Sequence, residues 1–268
     1  MMPRTFHPHL ELLAIATALV LTVMVLTWQL GRSIRNYGIV DAVWSFLFAP
    51  VAAIYAFIGD GDLTRRVILV LMVSFWSVRL GAHLTRRIAH EHPREDPRYG
   101  ALRREWASRV NSRMLGFYLL QGILVVVLAV PFLIPVFNKQ PSPHALELLG
   151  VALFFAGLIG ESVSDAQLSR FKRQAAGPDS VCEIGLWHYS RHPNYFFEWL
   201  VWVGFATFSL PSEHGWLGLI APLLMLHFLL NVTGIPLTEE LAVVRKGDAY
   251  RRYQQTTSRF VPWPRKET

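Results

Sequence analysis

The chain has 268 residues, 52% of them hydrophobic and 17% charged, with a mean hydropathy of +0.31 and a formal net charge of +7. A soluble domain carries roughly 25% charged residues, so this composition excludes a disordered chain and an ordinary soluble domain and points to the membrane. The excess of Lys and Arg sits between apolar blocks, where it orients helices in a bilayer and does not call for nucleic acid. Cys182 is the single cysteine, which excludes an internal disulfide and a zinc finger; no metal is expected.

A helix needs about 20 apolar residues to cross the hydrocarbon core. Seven blocks approach this length: 10–30, 38–58, 67–84, 115–137, 145–164, 195–211 and 215–233. The first ends at Gln29 and Gly31 without a small-residue cleavage site, and reads as a retained helix. The polar segment 85–114 is predicted to form helical pieces on the membrane surface. Pro211 to His214 join the last two blocks as a tight hairpin. Residues 248–259 mix Arg, Tyr and Gln as an interfacial helix with a basic face does. The fold class is therefore all-α: one integral-membrane domain, 1–268, holding a polytopic bundle of about seven transmembrane helices.

Orientation follows from the basic residues. Of the 26 Lys and Arg, 21 lie in the loop after the first block, in 85–114, in 165–194 and after Thr233, against four (Arg4, Arg65, Arg66, Lys139) on the other side. The positive-inside rule places the N-terminus outside and the C-terminus in the cytoplasm.

Ionisable residues inside the membrane are costly and mark functional positions. Asp41 lies early in the second block and Arg79 within the third, and the two are expected to pair, with Trp44 and Trp76 as belt aromatics or walls of a flat pocket. Glu161, Asp165 and Leu168 share a face by their spacing of four and three, followed by Arg170, Lys172 and Arg173. Carboxylates beside such a cationic cluster suit ribose and phosphate. The densest constellation is Gly185 to Trp199, with Tyr189, Arg191, His192, Asn194, Tyr195 and Glu198 at the entrance to a membrane helix that starts with Pro193. Donors, acceptors and aromatic faces converge there for a polar ligand entering from the cytoplasm. The tail adds Glu239, Glu240, Tyr250 and Tyr253. No P-loop or Rossmann glycine fingerprint occurs, so a bound nucleotide is not held in a Rossmann fold.

Gly185 to Glu198, with Asp165 before it and Gly247 to Pro262 after it, resembles the C-terminal region of the steroid 5-alpha-reductase superfamily, in the bacterial branch known as DUF1295. Asp41, Trp44, Trp76, Arg79 and Asp96-Pro97-Arg98-Tyr99 are similar to that branch as well, so the resemblance runs nearly end to end. It implies a seven-helix fold in a bacterial inner membrane, with a cytoplasm-facing cavity. The implied reaction is NADPH-dependent reduction of a carbon-carbon double bond conjugated to a carbonyl, on a lipophilic small-molecule substrate held among membrane lipids. Helices one to four (1–144) would form the substrate half and 145–268 the cofactor half. Asp165, Asn194 and Glu198 match cofactor-contacting positions. Lys172, Arg173, Tyr189, Arg191, His192, Tyr195, Glu240, Tyr250 and Tyr253 complete the implied cofactor set. Asp41, Trp76, Arg79 and Tyr99 are the candidate catalytic residues, a protonated Asp41 serving as a possible donor to the carbonyl. Steroid reductases differ in carrying Gln-Glu where this chain has Val40-Asp41, Tyr where it has Trp76, and Gly where it has Phe197.

Membrane methyltransferases of the isoprenylcysteine and phospholipid type share an Arg-His-Pro-x-Tyr segment and a paired-Glu tail. Arg191 to Tyr195 and Glu239-Glu240 satisfy that pattern, which makes S-adenosylmethionine the alternative cofactor. Asp165 and the cations after it favour NADPH, whose 2'-phosphate needs cationic partners. A lipid binder without activity is the third class. No protein partner is evident from the residues.

Overall fold

The computed structural model describes residues 7–174, 177 and 179–266; Arg4, counted above on the outer side, lies outside them. The described residues form helices and no strands, joined by short turns. Six stretches are long and apolar enough to cross a membrane: Pro8–Ser33, Ile39–Ile58, Leu63–Glu91, Pro97–Leu128, Ala145–Gln174 and Gly215–Lys246. The protein is thus an all-helical integral membrane protein. The sixth expected block appears as a helix of 17 residues, Pro193–Ser209, shorter than the others because Leu210 and Pro211 end it. The chain packs as two compact units, Met1–His144 with Pro211–Gly218, and Ala145–Leu210 with Leu219–Thr268.

The first unit contains α1 (His7–Ser33), α2 (Ile39–Ile58), α3 (Leu63–Glu91), α4 (Pro97–Trp106), α5 (Val110–Leu128) and the short α6 (Val130–Leu133). The expected block 115–137 is broken here, because Pro131 and Pro135 cannot donate the backbone bonds a continuous helix needs. The polar segment 85–114 is helical as its composition predicts, with Asp96 capping α4 through a bond from Arg98 N at 2.9 Å. Pro50 lies inside α2, and Ser77 of α3 joins the adjacent rung: its hydroxyl donates to Ser45 O at 2.6 Å and accepts from Ala49 N at 3.3 Å. In lipid an open backbone group has no water to turn to, so such a bond pins one helix to the other. At one end of α2, Arg66 Nη1 donates to Ala56 O and Gly59 O at 2.8 and 2.7 Å, satisfying carbonyls the helix end leaves open.

The second unit contains α7 (Ala145–Gln174), α8 (Leu186–Tyr189), α9 (Pro193–Ser209), α10 (Ile220–His227), α11 (Ile235–Lys246) and α12 (Asp248–Thr256), with a π-helical turn at Phe228–Val232. Its centre is the α7–α9 crossing, made close by opposed glycines. A Cβ on Gly150 would lie 2.8 Å from Gly204 O and 2.6 Å from Phe208 N, and a Cβ on Gly204 would lie 2.8 Å from Gly150 O and 2.6 Å from Phe154 N. The backbones therefore touch, and dispersion over that contact replaces the hydrophobic drive that lipid does not supply. Gly157 and Gly160 continue the seam against Phe197 and Val201.

This crossing makes a prediction. Gly204→Val forces two backbones apart and lowers stability by about 1–3 kcal/mol, the usual cost of overpacking, read as a fall in melting temperature in detergent. Gly116→Ala on α5, where an added Cβ meets nothing within 4 Å, leaves the melting temperature unchanged or raises it, since alanine favours a helix interior over glycine.

Candidate functional site

Polar groups cluster at helix ends in both units. In the first unit the cluster is built on Asp41. Tyr99 OH donates to Asp41 Oδ1 at 2.6 Å, and Arg98 Nη2 donates to Asp41 Oδ2 at 2.8 Å. Arg87 Nη2 stands 3.8 Å from the same oxygen and 3.2 Å from Asp96 Oδ2, which Arg98 also reaches at 3.0 Å. Two carboxylates and two guanidiniums thus tie α2, α3 and α4 together. The partner of Asp41 is therefore Arg98 with Arg87, and Arg79 of α3 makes other contacts. In this cluster Asp41 accepts from Arg98 and Tyr99. Burial works hardest against Asp96, yet the Arg98 bonds and charge and that of Arg87 prevail and hold its carboxyl below the usual range.

Trp76 is fully buried, edge-on to Phe48 with centroids 5.2 Å apart, so it is core and not a belt aromatic. Trp44 also stands edge-on to Phe48, at 4.8 Å. Beside the cluster, Tyr37 N donates to Glu95 Oε1 at 2.7 Å, and Arg103 pairs with Glu95 at 3.0 Å while lying over the Tyr37 ring.

The second unit gathers most of the sequence-predicted residues, in two groups. The first joins α7 and α9: Asn194 Nδ2 donates to Asp165 Oδ1 at 3.3 Å, and one turn into α9 the buried Glu198 accepts from Trp202 Nε1 at 3.0 Å. Lys172 and Arg173 are exposed at the end of α7, Lys172 seven residues beyond Asp165 and on its face. Neither forms an ion pair or hydrogen bond among the described residues.

The second group fastens the tail. Gly185 turns with φ +56°, a conformation that favours glycine, and its turn lies on Gln167, whose Oε1 accepts from Leu186 N at 2.9 Å. Trp187 Nε1 donates to Ser164 O at 2.9 Å, which fixes α8 on α7. Arg191 is buried; its Nε donates to Glu239 Oε1 at 2.6 Å and its Nη1 to Gln254 O and Thr257 O at 2.9 and 2.7 Å. His192 Nε2 stands 3.2 Å from the same Glu239 oxygen, and its ring stacks on Tyr195 with a 7° interplanar angle. Gln254 Nε2 donates to Glu239 Oε2 at 3.1 Å, and Tyr253 OH donates to the carbonyls of Trp187 and Ser190. Burial raises the phenol pKa of both Tyr250 and Tyr253, so they remain neutral hydroxyls.

Several residues of the expected cofactor set are held by the chain itself. Arg191, His192 and Tyr253 direct their polar groups into the protein and clamp α12 and the closing strand of chain onto the Gly185–Pro193 segment. Glu240 is exposed, and its neighbour Glu239 holds the network. The difference was readable: Glu239 lies four residues after the buried Ile235, on the same helical face, whereas Glu240 is turned away. Tyr189 is largely exposed. Beyond the tail, Ser180, Glu183, Arg252, Tyr253 and Arg265 line an open cavity of about 360 Å³, with Arg265 paired to Glu183 and lying over the Tyr253 ring. Among the described residues no group of three or more His, Cys, Asp or Glu could hold a metal.

The His192 contact gives a pH prediction. Burial pushes its imidazole below the ordinary 6.5, with Arg191 and Arg259 adding to that and Glu239 opposing it. The unfolded chain then takes up a proton at a higher pH than the folded one, so this stabilisation is complete above pH 6.5 and falls as pH drops below it. Melting temperatures between pH 5 and 7.5 should decline below about pH 6.5, and His192→Asn should flatten that decline.

The comparisons with known proteins stand beside this geometry. No solved structure matches the chain. An uncharacterised protein of Schizosaccharomyces pombe is 24% identical over 267 residues, an alignment covering 88% of this chain and 75% of that protein. The model of the family described as Protein of unknown function (DUF1295) matches residues 27–257. That stretch runs from the Asp41 cluster through the Glu239 clamp, and the chain belongs to this family.

Proposed function

We propose that the protein is an NADPH-dependent membrane oxidoreductase acting on CH–CH groups, reducing a carbon-carbon double bond conjugated to a carbonyl in a lipid-like or steroid-like substrate. The observation that carries the reading is the Asp165–Asn194 contact at 3.3 Å, followed on the same helix by exposed, unpaired cations. An acceptor and an amide at a helix pair suit ribose hydroxyls and a nicotinamide or adenine edge, and Lys172 and Arg173 suit the 2'-phosphate that distinguishes NADPH from NADH. These residues fit the dinucleotide, which when bound supplies the hydride. The rest is the protein's own: Asp165 and Asn194 orient, the basic turn neutralises phosphate, and the clamped tail excludes water. In the first unit Asp41, fixed by Arg98 and Tyr99, positions the polar end of the substrate. On this reading Pro193–Ser209 is a seventh span, the N-terminus lies outside, and the cofactor site faces the cytoplasm of a bacterial inner membrane. The superfamily of steroid 5-alpha-reductases is the wider group the DUF1295 branch would join.

One observation favours the second reading, an S-adenosylmethionine-dependent methyltransferase. Arg191, His192 and Glu239, the residues of that pattern, meet in a single contact. Cofactor competition on detergent-purified protein separates the two, since a ligand that binds only the folded state raises its apparent stability. NADPH should raise the melting temperature, NADH less so, and S-adenosylmethionine not at all, with the NADPH effect lost in Asp165→Ala and Asn194→Ala. With NADPH bound, Asp41→Asn should lower enone turnover while leaving the stabilisation in place. Stabilisation by S-adenosylmethionine alone would contradict the reductase.

A further inference from the structure

The end of the first unit away from Asp41 holds a second polar recess. There the chain after α2 pairs with the segment that follows α6: Gly61 N donates to Val136 O at 2.8 Å and Asp62 N to Asn138 O at 2.9 Å. The fully buried Arg65 braces the same segment, its Nη1 donating to Asn138 O and Gln140 O. Asn138 in turn reaches the 211–214 turn, its Nδ2 donating to Pro211 O at 3.4 Å and Ser212 Oγ at 3.3 Å. Against this frame opens a pocket of about 260 Å³, lined among others by His9, Lys139, Gln140, Ser212, Glu213 and His214. Lys139 spends one contact on Asp60, at 2.6 Å, and its ammonium has two further N–H donors, to which the Gln140 amide and the Ser212 hydroxyl add theirs. Opposite in kind is one carboxylate, Glu213, with the His214 ring 3.9 Å away. His214 holds φ +59°, a conformation that a residue with a side chain keeps where its surroundings fix it, often at ligand clamps. The two imidazoles and the carboxylate do not form a metal-binding group of three.

Donors for an oxyanion beside one acceptor for a cation suit a zwitterion of phosphate and primary ammonium. The chain around the pocket is exposed and apolar: Phe57, Ile58 and Leu63 flank Asp60, and Trp216 and Leu217 follow His214. Apolar side chains with a tryptophan at the ends of spanning helices mark the level where lipid tails meet headgroups. We propose that this pocket binds the headgroup of phosphatidylethanolamine, with the phosphate on Lys139 and Ser212, the ammonium on Glu213 and the acyl chains along the exposed apolar side chains. The site is independent of the reductase reading and uses none of its residues.

Native mass spectrometry of the full chain released from detergent micelles counts bound lipid directly. Dioctanoyl phosphatidylethanolamine should bind about tenfold more tightly than dioctanoyl phosphatidylcholine, whose quaternary ammonium has no N–H to give, a difference of the size of one hydrogen bond to a charged group. Glu213→Ala should abolish that preference, and Lys139→Met should weaken both lipids by a similar factor. The side chains of Lys139 and Glu213 are 70% and 81% exposed, so both variants should melt with the unaltered protein when lipid-free. Glu105→Gln, exposed on α4, should keep the preference. Glycerophosphoethanolamine, which carries the headgroup without tails, should compete weakly. Equal binding of the two lipids, a preference that survives Glu213→Ala, or one that Glu105→Gln also removes, would overturn the proposal. So would competition by glycerophosphoethanolamine as strong as by the lipid, which would make the ligand a soluble phosphoethanolamine compound.

Discussion

The second unit depends on one buried contact, Arg191 with Glu239. A guanidinium taken out of water is stable only when its donors are met, and here they are met by a carboxylate of α11 and two carbonyls at the end of α12. That requirement fixes three otherwise separate pieces of chain at once: the loop before α9, the helix carrying Glu239, and the tail. His192 and Gln254 fill the remaining capacity of the carboxylate, and Ser190 Oγ donates to Phe260 O at 2.8 Å. Removing one partner would strand a buried charge, a cost of about 3–5 kcal/mol. Because the loop is held in this way, Pro193 can open α9 with Asn194 against Asp165.

The first unit solves its own polar problem with the same chemistry. Asp41 and Asp96 share Arg98 and Arg87, and Glu95 takes Arg103. Three of the eight arginines between residues 85 and 114 are thereby turned inward as structural ties. Charge that the sequence reading assigns to orienting helices is therefore divided: part builds the protein, part faces outward. The same division appears in the second unit, where Arg191 is buried and Lys172 and Arg173 are exposed.

The helices were legible because the bilayer sets their length, and Pro193 marked the start of α9 correctly. Prolines were also where the reading erred, since Pro131 and Pro135 split the expected fourth block. Pairing across helices was not legible. Spacing puts Asp41 on a helical face but does not say which neighbour meets it, and Arg98 reaches it only because α4 folds back under its cap. The polar density of Gly185 to Trp199 was seen, yet density does not distinguish groups turned toward a ligand from groups turned toward the chain. Asp165 meets Asn194 across α7 and α9, while Arg191, His192 and Tyr253 bind the tail. Glu239 had a periodic signal, its spacing from Ile235, that the paired acids concealed.

The most direct test of the central claim is amide hydrogen exchange on Glu239→Gln against the unaltered protein. If the Arg191–Glu239 contact organises the unit, residues 186–192 and 248–258 lose protection together in the variant while α1 to α5 keep theirs. Loss confined to α11, with the loop and the tail still protected, would contradict the account.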